Sequence, residues 1–144
     1  MKLAGKAAIV TGSATGIGRS TALALARLGC HVVVNYTRSQ AEAEETGRGV
    51  QALGVRTLLC RCDVSDDSAV RAMVAACERE FGRLDVLVNA AGTTHLAPPE
   101  DLEAITPEIW DRIFNVNVRG MFFATRAASM KPRCASSNPC HCAS

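Results

Sequence analysis

Five short segments of this 144-residue chain hold side chains or backbone that could do chemistry. Thr11-Gly12-Ser13-Ala14-Thr15-Gly16-Ile17-Gly18 is a glycine turn that follows an apolar run and precedes a helical pattern. Such a turn lets backbone N–H groups face a pyrophosphate at a helix N-terminus, because residues without a Cβ permit close approach. The spacing is Gly-x3-Gly-x-Gly, not the more common Gly-x-Gly-x-x-Gly. A tight turn without a ligand is the plainer alternative. The second segment, Asn35-Tyr36-Thr37-Arg38-Ser39, lacks the acidic residue that would bind a ribose 2′-hydroxyl. Arg38 can pair with a 2′-phosphate instead, with Arg19 as a helper from the first helix.

Asp63, in Cys62-Asp63-Val64, can accept from an adenine amino group or cap a helix beside Ser65. The pattern does not choose between these. Asn89-Ala90-Ala91-Gly92 ends an apolar run, and its small residues keep a cleft open while Asn89 can bridge neighbouring backbone groups. Asn117 shares a predicted helix face with Phe114, Val118 and Met121. An amide on an apolar face needs partners, so a satisfied core asparagine is its ordinary reading.

The elements that position these residues follow from hydrophobic pattern. Ala7–Val10, Val32–Val34, Thr57–Cys60 and Val86–Val88 are continuous apolar runs, the mark of strands buried on both faces of a parallel sheet. Between them lie helical patterns over 16–28, 39–53 and 66–81, closed by Gly29, Gly54 and Gly82. Gly47 and Gly49 fall inside the second, which is expected to be the loosest helix. In the third, Val70, Met73, Val74, Cys77 and Phe81 form one stripe, with Asp66 and Asp67 in the first turn. Thr106-Pro107 opens a last helix, expected to run to about Met130. The class is α/β, a doubly wound parallel sheet.

Composition narrows the partners. Apolar residues make up 48% and charged residues 21% of the chain, and the net charge is +2. Residues 1–129 carry fourteen basic and fourteen acidic side chains, so no basic field points to nucleic acid or a membrane surface. No apolar run reaches the ~18 residues of a membrane span. With seven cysteines and no secretory signal, the expectation is a reduced, cytoplasmic protein. Cys30, Cys60, Cys62 and Cys77 read as buried free thiols. Cys140-His141-Cys142 lacks the four-ligand spacing of a structural zinc site, so no metal is expected.

Taken in order, Thr11-Gly12-x3-Gly16-x-Gly18, Asp63-Val64, Asn89-Ala90-Ala91-Gly92 and Asn117-x2-Gly120 resemble the short-chain dehydrogenase/reductase family, and most its 3-oxoacyl-(acyl-carrier-protein) reductase-like branch. The resemblance covers residues 3 to about 130. It implies a Rossmann fold, here an N-terminal half with strand order 3-2-1-4. It implies hydride transfer between NADP(H), with NAD(H) less favoured, and a small carbonyl or alcohol. The implied dinucleotide contacts are Gly12, Ser13, Thr15, Gly16, Ile17, Gly18, Thr37, Arg38, Asp63, Val64, Asn89, Ala90, Ala91 and Gly92. Asn117 becomes the asparagine that holds a proton-relay water. The helix over 107–130 implies a homo-oligomer contact.

The family's Ser and Tyr-x3-Lys do not carry over. The sole tyrosine is Tyr36, and the only lysines are Lys2, Lys6 and Lys131. Ser136 and Ser137 have no apolar strand around them. The chain is therefore expected to be a truncated, nearly inactive oxidoreductase, the alternative being a non-catalytic dinucleotide-binding or interaction fragment. Residues 1–130 form the expected half-domain. Residues 131–144, rich in Pro, Arg, Cys, Ala and Ser, read as an aberrant, disordered tail of the kind out-of-frame translation gives. Without a fifth strand, Val86–Val88 is expected to be an open edge that favours association.

Overall fold

The structure is a computed structural model that describes residues 3–130. The expectations for 131–144, including Ser136, Ser137 and the three C-terminal cysteines, lie outside the described residues. Four strands, β1 (Ala7–Val10), β2 (His31–Tyr36), β3 (Thr57–Arg61) and β4 (Val86–Val88), form one parallel sheet in the order β3-β2-β1-β4. Ile9 lies opposite Val33 and Leu87, and Val33 opposite Leu58. Helices α1 (Gly16–Arg27), α2 (Gln40–Ala52) and α3 (Asp67–Phe81) connect the strands. After β4 the chain passes a short 3₁₀ turn at Leu102–Ala104. It then forms α4 (Pro107–Phe114), a π-helical turn (Asn115–Arg119) and α5 (Gly120–Ser129).

Strand alternation divides the core into two layers. Val10, Val32 and Val34 pack with Ala22 and Ala26 of α1 and Ala43 and Val50 of α2. Ile9 and Val33 pack on the other side with Val70, Met73, Cys77 and Phe81 of α3 and Ala124 and Ala127 of α5. Helix ends follow local chemistry. The Asp66 side chain accepts from the Ser68 and Ala69 N–H groups, so Asp66 is the N-cap of α3 and not part of its first turn. Gly82 closes the same helix at φ +73°, a left-handed conformation that disfavours a Cβ.

Two expectations are corrected here, and the reading of Gly47 and Gly49 gains a contact role. Only β1 and the centre of β2 are buried on both faces; β3 and β4 are half-exposed because each is an edge strand with one neighbour. Gly47 and Gly49 are contact points, not merely weak spots. A Cβ at Gly47 would stand 3.0 Å from Leu59 Cδ2, and one at Gly49 would stand 3.0 Å from Leu23 Cδ2. Their absent side chains let α2 close on β3 and α1, which offsets their low helix propensity. Finally, the helix from Pro107 is not uniformly α-helical. The Gly120 N–H donates to the Asn115 carbonyl five residues back, so the helix widens by one residue at Asn117.

Free Cys30, Cys62 and Cys77 are buried and Cys60 is half-buried. Burial pushes the Cys30 thiol up to about 11, and those of Cys62 and Cys77 to about 12, so these behave as small apolar groups and not as nucleophiles. No helix of the described residues is long and apolar enough to cross a membrane.

Candidate dinucleotide site

Carboxyl ends of parallel strands are where an open α/β sheet leaves a crevice. Here that end holds a cleft of about 340 Å³. Its lining includes Gly12, Thr37, Arg38, Asp63, Val64, Ala91 and Gly92, together with Asn35, Tyr36, Thr93, Arg112 and Val116. Seven of the sequence-derived residues therefore meet in one cavity.

The floor is held by three buried polar side chains. Thr11 Oγ1 donates to the Val88 carbonyl (3.3 Å) and accepts from the Ala90 and Ala91 N–H groups (3.0 Å each). This ties the turn after β4 to the end of β1. Asn35 Oδ1 accepts from the Gly12 N–H at 3.0 Å, and its Nδ2 donates to the Cys60 and Cys62 carbonyls at 3.3 and 3.0 Å. Ser13 Oγ donates to the Val10 carbonyl (2.7 Å) and accepts from the Asn35 N–H (3.0 Å). The three side chains cross-link all four strand ends. The Ser13 N–H also goes to the Asn35 carbonyl, so Ser13 faces inward and leaves no main-chain donor for the cleft.

Gly12 and Gly18 are required by space. Gly12 has φ +62°, and a Cβ there would stand 2.7 Å from Ala91 Cα. A Cβ on Gly18 would run into the Gly12 carbonyl. Gly16, at φ +56°, has open space beside it. Thr15 is the N-cap of α1 and makes no side-chain cap bond, so the first-turn N–H groups lack that partner. Thr15, Gly16 and Ile17 are exposed there, Ile17 at 82%. An open helix N-terminus beside a backbone that approaches within contact distance fits a pyrophosphate.

Asp63 makes the local turn with Ser65, while Asp66 and not Asp63 caps α3. Asp63 Oδ1 accepts from the Ser65 N–H (2.9 Å) and Oγ (2.7 Å), while Oδ2 faces Arg112 Nη1 at 3.0 Å. Burial alone would raise this carboxyl, but the Ser65 and Arg112 hydrogen bonds outweigh it and hold it below its ordinary value. Val64 is buried, and Gly120 lies against it so closely that a Cβ on Gly120 would overlap Val64 Cγ2. That contact seats α5 on the end of β3.

Asn117 is neither a core asparagine nor on a buried face. Phe114, Val118 and Met121 are 45%, 54% and 44% exposed. The buried side of this helix is Val116, Gly120, Ala124 and Ala127. Half-buried Asn117 accepts from the Thr93 N–H (2.8 Å) and donates to the Thr93 carbonyl (2.9 Å). Asn89 is also redirected: its Nδ2 donates to Thr125 Oγ1 at 3.3 Å, on the β4 edge and not in the cleft. Arg19 pairs with Glu45 on α2 at 2.6 Å, so it is engaged away from Arg38. Sequence reasoning missed Asn35 and Arg112 as site-forming residues. The signal for the first was a lone amide at the end of Val32-Val33-Val34.

The short chain dehydrogenase family model matches residues 6–134. An uncharacterized oxidoreductase of Methylorubrum extorquens is 45% identical over 128 residues, which are 89% of this chain and 50% of that protein. The short-chain dehydrogenase/reductase homolog YusS of Bacillus subtilis is 43% identical over 109 residues, 76% of this chain and 100% of YusS. A short chain dehydrogenase from Burkholderia cenocepacia, crystallised in complex with NADP, superposes with a TM-score of 0.82 at 39% identity. That match covers 90% of this chain and 51% of the Burkholderia chain. The chain thus spans about half the length of the Methylorubrum and Burkholderia proteins, while 76% of it matches the whole of YusS. With its 3-2-1-4 sheet and glycine-floored cleft, this chain belongs to the short-chain dehydrogenase/reductase family of oxidoreductases.

Proposed function

We propose that the chain is the dinucleotide-holding half of an oxidoreductase that moves a hydride between NADP(H) and a carbonyl or alcohol carbon. The observation that carries this reading is the cleft itself, where Gly12 and Ala91 bring backbone to backbone with no room for a Cβ. The dinucleotide, when bound, supplies the hydride donor or acceptor. The exposed first turn of α1 would hold its pyrophosphate. Thr37 and Arg38 would hold the 2′-phosphate, Asp63 and Val64 the adenine, and Ala90 to Gly92 the nicotinamide end. No acid stands at the end of β2, which favours the phosphorylated cofactor over NAD(H).

Proton handling is incomplete in these 144 residues. Asn117 keeps one acceptor lone pair and one amide N–H beyond its Thr93 pair, enough to hold one water. Tyr36 lines the purine end of the cleft, and the residue four positions on is Gln40, not lysine. General acid catalysis worth ~10²–10⁴-fold is therefore missing. The chain alone binds the dinucleotide weakly and does not turn over. Calorimetric titration with NADPH and NADH, beside a ketone-reduction assay, tests the reading. Tighter binding of NADH, or an unchanged preference in Arg38→Asp, counts against the cofactor assignment. Steady turnover counts against the missing acid.

A further inference from the structure

The Asp63 carboxylate is nearly closed by its neighbours. Ser65 fills both lone pairs of Oδ1 through its N–H and hydroxyl, and Arg112 Nη1 takes one of the two on Oδ2. The same Nη1 lies 3.2 Å from Ser65 Oγ, which closes a ring of three side chains. Asp63 and Arg112 both line the cleft. Arg112 belongs to α4, which buries none of its residues fully. Among the described residues it makes the only side-chain hydrogen bonds from α4 to the sheet end. With Arg112 49% and Asp63 38% exposed, the ion pair itself adds little to stability. Its effect is orientation: the carboxylate cannot turn, and one acceptor position is left open.

Resting on the dinucleotide reading above, we propose that Arg112 is a positioning residue for the purine end of the cofactor, locking Asp63 so that it accepts from a 6-amino purine and rejects a 6-oxo purine. A 6-amino group donates to the single open lone pair. A 6-oxo group brings oxygen against oxygen, and its ring N1–H lies elsewhere. A carboxylate free to rotate would turn to accept that N1–H; a locked one does not.

The test is binding of NADPH and of its hypoxanthine counterpart to the 144-residue chain and to Arg112→Ala, Arg112→Lys and Ser65→Ala. The wild type is expected to favour the adenine form by about tenfold, the worth of one hydrogen bond to a charged acceptor. Arg112→Ala and Ser65→Ala bring that ratio close to one, and Arg112→Lys, which keeps the charge but not the planar fork, falls between. The NADPH-to-NADH ratio stays at its wild-type value in all three. Emission from Trp110, the single tryptophan and a residue of α4, reports whether the helix keeps its place. Ser65→Ala carries the test should Arg112→Ala not fold. A wild type indifferent to the purine, or an Arg112→Ala chain that folds with the wild-type ratio, overturns the proposal. Failure of the wild type to bind either dinucleotide overturns the dinucleotide reading, and this one with it.

Discussion

The strand ends around Gly12 and the helical arm from Pro107 to Ser129 face opposite demands. At the strand ends Thr11, Ser13 and Asn35 are buried, each with a hydrogen-bond partner, and Thr46 of α2 donates to the Ala14 carbonyl beside them. On the arm the large side chains point outward. Trp110 is 55% and Phe122 58% exposed, with Phe114, Val118 and Met121 close behind. One region fixes backbone atoms through a closed set of side-chain hydrogen bonds. The other carries a row of exposed apolar groups. A fixed frame and an exposed apolar face thus lie side by side, since Arg112 and Val116 of the arm also line the cleft.

The strongest way to break that contrast is to crowd the strand ends. Gly12→Ala combines a positive φ with a Cβ 2.7 Å from Ala91, and is expected to cost about 3 kcal/mol and abolish NADPH binding. Gly54→Ala shares the positive φ (+81°) but meets nothing within 4 Å, so it should cost only about 1 kcal/mol. Equal denaturation midpoints for the two would show that close approach is not what Gly12 provides. Next comes Asn35→Leu, which strips the Gly12 N–H and the Cys60 and Cys62 carbonyls of a partner. A loss of about 2–3 kcal/mol in urea unfolding is expected. A loss near zero would mean that water fills the gap and the frame is not rigid.

A smaller effect concerns acid. The Arg83 guanidinium, bound to both Asp85 oxygens at 2.6 and 2.7 Å, holds that carboxyl down at about 2. The Ala7 N–H and Lys6 assist, against the opposing effect of burial. The folded pKa lies below the ordinary 3.8, so the stabilisation is whole above pH 4 and disappears as pH falls towards 2. Asp85→Asn should flatten that part of the stability–pH curve, and an unchanged acid limb would contradict it. The smallest change in stability belongs to the arm. Phe122→Glu should alter unfolding by less than about 0.5 kcal/mol, since the new carboxylate stands four residues before Arg126. Size-exclusion chromatography should nonetheless show a shift from oligomer towards monomer. An unchanged elution volume would mean that the exposed row is not an association face.

Local residue types reached the strands, the helix ends and the glycine floor, while the strand order came from the family resemblance. Continuous apolar runs announced the strands, and left-handed glycines announced the stops at Gly29, Gly54 and Gly82. What periodicity could not reach depends on partners distant in the chain. Asn35 reads as a missing acid until its amide is seen between Gly12 and Cys62. Asp63 stayed undecided because Arg112 lies 49 residues away. Asn89 was expected in the cleft and reaches Thr125, and Asn117, whose pattern alone read as a core amide, instead pairs with Thr93. The expected face of Phe114, Asn117, Val118 and Met121 failed because it assumed 3.6 residues in every turn.

That widened turn makes the arm respond to insertions and deletions in a way the other helices do not. Were this turn to tighten to regular α-helix with its length unchanged, everything downstream would rotate by about 100°. Gly120, Ala124 and Ala127 would swing off the sheet, and Arg119 would meet Val64 in place of Gly120. The loss of one residue between Asn115 and Arg119 would instead remove the widening and leave the buried face where it is. Variants shortened by one residue here should therefore keep α5 seated on Val64, while variants lengthened by one should not.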